Sequence, residues 1–224
     1  MNKRLIAVDG LDGSGKETQT KLILKEFASE NVPYRYLSFP TYKSPWCDLV
    51  DLYLGGGFGS SPEDVNAYAA STFFACDRYC SYMLDWKRDY DDGKIIVCNR
   101  YTTGNAVHQL SKLPESEWEV FLEWLNEYEH KKLGLPKPET VIYLCLTPDI
   151  AMKYIIRRSA ETGRAMDIHE KSADHLEKSY RAAKFAASRL GWKTVECSEN
   201  NAMRPIEHIQ QDIQAILKNE GYII

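Results

Sequence analysis

The chain has 224 residues, of which 44% are hydrophobic and 27% charged, and its formal net charge is −4. This is the composition of an ordinary globular protein, and the length allows one α/β domain or two small ones. The absence of a basic run argues against a sequence-independent nucleic-acid binder, and no apolar run approaches the length of a membrane span.

The cysteines form no Cys-x-x-Cys pair and show no histidine–cysteine ligand spacing. The segment MNKRLIAVDG has neither the length nor the cleavage pattern of a signal peptide. We therefore expect reduced thiols and a cytoplasmic location.

Short apolar runs alternate with helical patterns along the chain. The predicted strands are Leu5–Val8, Tyr34–Phe39, Lys94–Cys98, Thr140–Leu146 and Thr194–Cys197. The predicted helices are Lys16–Ala28, Pro62–Tyr90 (one helix or two), Glu115–Leu133, Pro148–Ser159, Lys171–Leu190 and Ile206–Asn219. Strands joined by crossover helices predict a five-stranded parallel sheet covered by helices on both faces, a three-layer α/β/α fold. We expect a single domain over residues 1–224, in which the polar segment Ser159–Asp167 belongs to a mobile lid at about residues 157–170.

The stretch GLDGSGKET (10–18) spells G-x-x-x-x-G-K between a predicted strand and a predicted helix. Glycines so placed let backbone N–H groups converge on phosphate oxygens, and the lysine reaches the β and γ oxygens. The alternative is a connection whose glycines serve only the turn.

Two acids in this stretch, Asp12 and Glu17, are unusual for a phosphate loop. Asp12 would repel a nucleotide phosphate and is better explained by a contact to a sugar hydroxyl of a second substrate, and Glu17 replaces the usual Ser or Thr after the lysine.

Several stretches together resemble thymidylate kinases of the nucleoside monophosphate kinase group, over nearly the whole chain. They are DGLDGSGKET (9–18), SFP (38–40), FFACDRY (73–79), CNRYTTGNAVHQ (98–109) and GRAMDIHE (163–170). The resemblance implies a P-loop NTPase-type fold, transfer of a phosphoryl group from ATP to dTMP, Mg²⁺ as cofactor and a homodimer, with Pro62–Tyr90 as a plausible interface. It implies ATP-binding residues at Gly10, Gly13, Ser14, Gly15, Lys16, Glu17 and Thr18.

The resemblance also implies an acceptor site. Its predicted residues are Asp12, Phe39, Pro40, Tyr42, Phe74, Arg78, Arg100, Asn105 and His108. Phe74 and Arg78 have i,i+4 spacing and so share a helix face, as stacking on a base and reading its edge require. Without the resemblance, a core Phe and a salt-bridging Arg would explain that pair. Arg100 follows a strand at the carboxyl edge of the sheet, where a guanidinium grips an acceptor phosphate.

For catalysis, the resemblance implies Lys16, Arg100 and an arginine from the lid. One branch of the family has an arginine directly after the loop aspartate, but this chain has Gly13 there. Arg164 is the first candidate and Arg157 the second, and Arg158 is also near; the alternative is that these arginines are solvated helix ends.

Glu17, Asn99 and His108 depart from the family pattern. Asn99 replaces an aspartate usually near the metal, which suggests that the magnesium carboxylate has moved to Glu17. The alternative is a solvent-facing Glu17, in which case Thr18, Asp9 and water serve the metal. His108 replaces an aromatic residue near the sugar 2′ carbon, so we expect weaker rejection of ribonucleotides.

Two other functions fit the sequence: a kinase of the same fold acting on another nucleotide or nucleoside, and a catalytically weak nucleotide-binding regulator. Arg100 favours an anionic acceptor, and the retained Lys16 and Phe74–Arg78 pair weigh against the regulator.

Overall fold

A parallel five-stranded sheet forms the centre of the computed structural model, which describes residues 4–163 and 165–223. The strands are β1 (Arg4–Gly10), β2 (Tyr34–Ser38), β3 (Ile95–Asn99), β4 (Thr140–Cys145) and β5 (Lys193–Glu196). Their order in the sheet is β2-β3-β1-β4-β5, and every neighbouring pair is parallel. The predicted sheet is confirmed. A two-stranded antiparallel hairpin, β6 (Ser198–Glu199) and β7 (Ala202–Met203), follows it.

Helices cover both faces of the sheet. They are α1 (Lys16–Ser29), α2 (Asp48–Leu54), α3 (Ala67–Ser81), α4 (Lys87–Asp91), α5 (Thr103–His108), α6 (Trp118–Asn126), α7 (Pro148–Thr162), α8 (Ala173–Leu190) and α9 (Ile206–Asn219). Alternate residues of β1 point to opposite faces. Ile6 and Val8 pack with α1 and α9, whereas Leu5 and Ala7 pack with aromatic side chains that follow α3. The three-layer arrangement is confirmed.

Two of the long predicted helices are interrupted. The Pro62–Tyr90 pattern contains a 3₁₀ turn at Pro62–Asp64, then α3, a π-helical turn at Tyr82–Trp86, and α4. α3 starts where it does because the Asn66 side chain accepts a hydrogen bond from the Ala69 N–H at 2.9 Å. The Glu115–Leu133 pattern likewise contains α6 and a π-helical turn at Glu127–Lys132. The short helices α2 and α5 were not predicted, because a helix of only six or seven residues is too short to show a clear hydrophobic periodicity.

The helix before the predicted lid extends beyond its predicted end at Ser159. α7 continues to Thr162 and ends at Gly163, whose φ of 70° is the left-handed conformation that commonly ends helices. α8 begins at Ala173, capped by the Ser172 side chain.

The described residues contain no helix that combines the length and apolarity needed to cross a membrane. Each cysteine has a free thiol.

Candidate active site

A cavity of about 450 Å³ opens at the carboxyl edge of the sheet, where the ends of parallel strands bring their following loops together. It is lined by Asp12, Gly13, Gly15, Lys16, Glu17, Thr18, Ser38, Phe39, Pro40, Tyr42, Leu54, Phe74, Arg78, Asn99, Arg100, Tyr101, Gly104, Asn105, His108, Gln109, Tyr154, Arg158, Asp167, His169 and Glu170. Every residue predicted for the acceptor is in this lining. Of the predicted loop residues, Gly10 and Ser14 lie behind it.

Lys16 lies at the phosphate-loop end of the cavity. Its Nζ donates to the carbonyl oxygens of Gly10 at 2.9 Å and Leu11 at 2.8 Å, and it lies 3.8 Å from Asp12 Oδ1. Burial and the neighbouring Arg100 guanidinium lower the pKa of Lys16 to about 8. A buried ammonium held by carbonyls is ready to exchange these contacts for phosphate oxygens.

Gly13 explains why the loop carries no arginine. Its φ is +80°, and a Cβ there would lie 2.7 Å from the Ala151 carbonyl oxygen and 3.2 Å from Tyr154 Cβ. The loop thus packs directly on α7, and any side chain at this position would collide with that helix. A cation for the transferred phosphoryl group must therefore come from another element.

Arg100 connects the loop to the rest of the cavity. Its φ of 63° is rare for a residue with a Cβ. NH2 donates to Asp12 Oδ1 at 2.5 Å, NH1 donates to His108 Nε2 at 2.8 Å, and NH1 lies 3.5 Å from Asp9 Oδ1. Burial acts to raise the pKa of Asp12, but Arg100 and Lys16 outweigh it and hold that pKa well below its usual range. Asp12, predicted to contact a sugar hydroxyl, lines the cavity and accepts a hydrogen bond from Arg100.

His108 belongs to a stack of imidazoles that sequence reasoning missed. Its ring centroid lies 5.4 Å from that of His169 and 5.8 Å from that of His175, and these two are 4.5 Å apart. Arginine can only donate, so His108 Nε2 accepts and its proton sits on Nδ1. Burial lowers the pKa of all three histidines, to about 4 for His175.

The histidine stack is a poor metal site. The ligand nitrogens lie within 4.8 Å of one another, but the ring planes are only 20–36° apart. A metal lies in the plane of each imidazole that binds it, so nearly parallel rings do not converge on one ion.

The other end of the cavity, the base end, contains the residues predicted to bind the base: Phe74, Arg78 and Asn105. Arg78 reaches it from α3, with Phe74 one turn earlier. Its guanidinium forms a buried pair with Glu129: Nε donates to Oε2 and NH2 to Oε1, both at 2.7 Å. Asn105 Nδ2 donates to the same Oε1 at 2.9 Å. Glu129 was missed, although it follows Leu125 at i+4 and continues the buried stripe of α6 into the π-helical turn, and a carboxylate on an apolar stripe is a recognisable signal.

The arginines of α7 differ in placement. Arg157 is exposed, pairs with Glu161 at 2.6 Å and does not line the cavity. Arg158 lines it, and NH2 donates to Glu170 Oε1 at 2.6 Å. Tyr154, one helical turn before Arg158, also lines the cavity. Of the two adjacent arginines, the cavity lining therefore favours Arg158 over the predicted Arg157. Arg164 lies outside the described residues.

Asp167, in the predicted lid, accepts hydrogen bonds from the backbone N–H groups of His169 and Glu170 at 2.9 Å. Burial, followed by repulsion from Asp12, raises the pKa of Asp167 to about 6.

Oxygen groups suitable for Mg²⁺ lie near the loop. Asn99 Oδ1 is buried and has no hydrogen-bond partner among the described residues, and Asn99 lines the cavity together with Glu17. Glu17 is mostly exposed and pairs with Lys21 at 2.6 Å. Asp9 Oδ1 already accepts from the Gly10 N–H at 2.8 Å and Oδ2 from Thr103 Oγ1, and Asp9 does not line the cavity. The donor set fits a hard cation at Asn99 and Glu17 better than at the predicted Asp9.

Comparisons with known proteins agree with this geometry. Residues 8–213 match the family model of thymidylate kinases. A thymidylate kinase of Mycobacterium tuberculosis is 30% identical over 84% of this chain and 87% of its own, and one of Plasmodium falciparum is 27% identical over 94% and 87%. A solved thymidylate kinase from Candida albicans, 20% identical, has the same fold with a TM-score of 0.69 over 97% of this chain and 92% of its own. The chain belongs to the thymidylate kinase family.

Proposed function

We propose that the protein transfers the γ-phosphoryl group of ATP to dTMP, giving ADP and dTDP. The observation that carries this function is one cavity with a phosphate loop at one end and, at the other, an arginine and an asparagine that donate to the same carboxylate. An oxygen of the dTMP phosphate forms a bond to the γ-phosphorus while the bond to the β–γ bridging oxygen breaks. Because little covalent chemistry falls to the protein, positioning and charge neutralisation supply the catalysis.

On the donor side, the backbone N–H groups of the loop and Lys16 hold the ATP phosphates. Arg158 faces Lys16 closely enough to help lower the pKa of that lysine, so both cations act on one region. Release of Arg158 from Glu170 allows its guanidinium to reach the moving phosphoryl group. Arg164, next to the Gly163 helix end, is a second candidate for this role.

On the acceptor side, Arg100 binds the dTMP phosphate. Its Asp12 partner holds the guanidinium in place until the phosphate arrives. Phe74 stacks on the base, and Arg78 and Asn105 contact the base edge. Tyr42 lines the same side of the cavity, after the Phe39–Pro40 turn.

Mg²⁺ would be held by Glu17 and Asn99 together with phosphate oxygens, and when bound it neutralises charge on the ATP phosphates. The Lys21 ammonium that pairs with Glu17 must give way for this. In Glu17→Gln, the Mg²⁺ concentration for half-maximal rate should rise about tenfold, whereas in Lys21→Ala it should not rise. An unchanged magnesium requirement in Glu17→Gln would show that Glu17 faces solvent and does not bind Mg²⁺.

His108 bears on sugar selection. Its Nε2 is occupied by Arg100, and its protonated Nδ1 is buried among the other imidazoles. We still expect weaker rejection of a ribonucleotide than in relatives with a bulky aromatic there, because the imidazole leaves more room beside the sugar. The ratio of kcat/KM for dTMP over its ribose analogue measures this.

The function is tested by a coupled assay for ADP with ATP, Mg²⁺ and single nucleoside monophosphates. ADP release that depends on dTMP, and exceeds release with dCMP, dAMP and dGMP, supports the proposal. Preference for another monophosphate or a nucleoside would identify another kinase of this fold. Tight binding of ATP and dTMP without turnover would identify a regulatory protein.

We also propose a cytoplasmic homodimer built on the α3–α4 region. The free thiols fit a reducing compartment. Tyr79, Met83 and Leu84 are exposed there, Leu84 by 71%, and an exposed apolar group of this kind marks an interface. Sedimentation should show a dimer that Leu84→Glu converts to a monomer and that Leu190→Glu, at an exposed apolar residue of α8, leaves intact. A monomeric wild-type protein would contradict this.

A further inference from the structure

Glu129 is a fully buried carboxylate that accepts hydrogen bonds from two side chains that line the cavity, Arg78 and Asn105. It accepts from Arg78 through both oxygens and from Asn105 through Oε1. An ordinary ion pair would engage the arginine alone. Here one carboxylate sets the orientation of two neighbouring side chains.

The contacts of Asn105 fix which end of its amide faces a ligand. Nδ2 donates to Glu129 Oε1 at 2.9 Å and to the Ser71 carbonyl oxygen at 3.2 Å. A carboxylate and a carbonyl can only accept, so the NH₂ group must lie on their side. Among the described residues no group donates to Asn105 Oδ1. Asn105 therefore offers the cavity an acceptor.

The contacts of Arg78 fix a donor beside that acceptor. Glu129 engages the guanidinium through Nε and NH2, and NH1 donates to the Tyr101 carbonyl oxygen at 3.3 Å. A guanidinium has five N–H bonds, so hydrogens remain on NH1 and NH2 for a ligand. The cavity wall thus presents a donor next to an acceptor.

This pair complements one type of pyrimidine edge. Thymine offers an acceptor, O4, next to a donor, N3–H. Cytosine has the reverse, an amino donor next to the acceptor N3. If the Asn105 amide were reversed, its NH₂ group would face the N3–H donor of thymine, and one of the two hydrogen bonds to the base edge would be lost.

We propose that Glu129 is a positioning residue for base selectivity: it holds the Asn105 amide with its oxygen toward the ligand and so selects an imide edge over an aminopyrimidine. The inference rests on the proposed function, because it assumes that Arg78 and Asn105 contact the base. The carboxylate acts through those two side chains and touches no substrate.

The test compares kcat/KM for dTMP and dCMP in wild type and Glu129→Gln. A glutamine in place of the carboxylate has an NH₂ group that must face a donor of Arg78 or Asn105, so the asparagine amide is no longer held in one orientation. The dTMP/dCMP ratio should fall at least about tenfold, since buried polar groups left unmatched are what give such sites their selectivity. KM for ATP should stay within about twofold. Glu127→Gln is the matched control, because Glu127 lies on the same π-helical turn but is exposed and pairs with Lys132.

Adding Asn105→Asp to Glu129→Gln exchanges donor and acceptor between the two positions, so position 105 again presents only an acceptor to the ligand, beside the donor of Arg78. The ratio should return to within about threefold of wild type. If the single variant does not fold, the double variant decides: a ratio close to wild type supports the proposal, and one below a tenth of it overturns the proposal. An unchanged ratio in Glu129→Gln, or equal losses with both substrates and no rescue, also overturns it. A wild-type enzyme that does not prefer dTMP contradicts the proposed function itself.

Discussion

The two ends of the cavity hold their cations in different ways. At the phosphate end, Lys16 and Arg100 line the cavity and contact loop carbonyls, Asp12 and His108. At the base end, Arg78 and Glu129 are exposed by only 3% and 0% and pair through two hydrogen bonds. We expect an arriving phosphate to replace a partner in the first arrangement, whereas the second pair should persist when a ligand binds.

This difference separates rate from stability. A cation at the wall contributes mainly when charge moves past it, so its removal should slow the reaction and leave the fold intact. A buried ion pair that loses one partner leaves an uncompensated charge, so its removal should destabilise the fold. The predictions below follow this division.

The largest expected effect is on rate at the phosphate end. Lys16→Ala should lower kcat about 10³-fold, because no other side chain of the loop can carry its charge to the phosphates. Denaturant unfolding should show no loss of stability, since a buried ammonium with a lowered pKa is removed. Lys25→Ala, at an exposed lysine of α1, is the control. A large loss of stability with an unchanged kcat would show that Lys16 stabilises the fold and does not act in catalysis.

The next effect is on stability at the base end. Arg78→Met should lower the free energy of unfolding by about 3–5 kcal/mol, because Glu129 is left buried and unpaired. Arg189→Met, which breaks an exposed pair with Glu119, should leave unfolding unchanged. Urea denaturation at pH 7.5 measures both. Equal losses in the two variants would show that burial does not distinguish the pairs.

The third prediction separates the adjacent arginines of α7. Arg158→Ala should lower kcat about 10²-fold with a small change in KM for ATP, because its charge acts on the transferred group. Arg157→Ala should stay within about twofold, since Arg157 lies away from the cavity. A larger loss for Arg157→Ala would place the catalytic cation on the other face of α7.

The smallest effect concerns pH and the histidine stack between the two ends. Burial lowers the pKa of His175 from 6.5 to about 4. Between these values the unfolded chain binds a proton that the folded chain excludes, so stability falls as pH falls. From pH 7.5 to 5.0, His175 alone should account for a loss of about 2 kcal/mol, and His175→Gln should remove that part. A variant with the same pH dependence as wild type would show that other groups cause the loss.

Much of this division could be predicted from sequence where the signal is local. The loop motif fixes Lys16 and the start of α1, because glycine spacing and helix initiation depend on neighbouring residues. The five strands and the i,i+4 relation of Phe74 and Arg78 follow from periodicity.

Other features depend on long-range packing or on small shifts in register. Arg157 and Arg158 are neighbours in sequence, and only the packing of α7 on Gly13 decides which faces the cavity. His169 and His175 join His108 through tertiary structure alone, and nothing in their local sequence indicates it. Glu129 follows the buried Leu125 at i+4, but it lies in the run EYEHKK (127–132), whose charge is typical of an exposed helix end and obscures that signal.

The central claim is that both nucleotides bind in one cavity. The ATP phosphates bind at the phosphate loop, the base of dTMP binds at the base end, and Arg100 binds the dTMP phosphate between them. The direct test is titration calorimetry with adenosine and thymidine joined through five phosphates, in the presence of Mg²⁺. We predict one molecule bound per chain, competition with both ATP and dTMP, and at least about 100-fold tighter binding than either, since the linked nucleotides pay the entropic cost of association once. Competition with only one nucleotide, or two molecules bound per chain, would contradict the account.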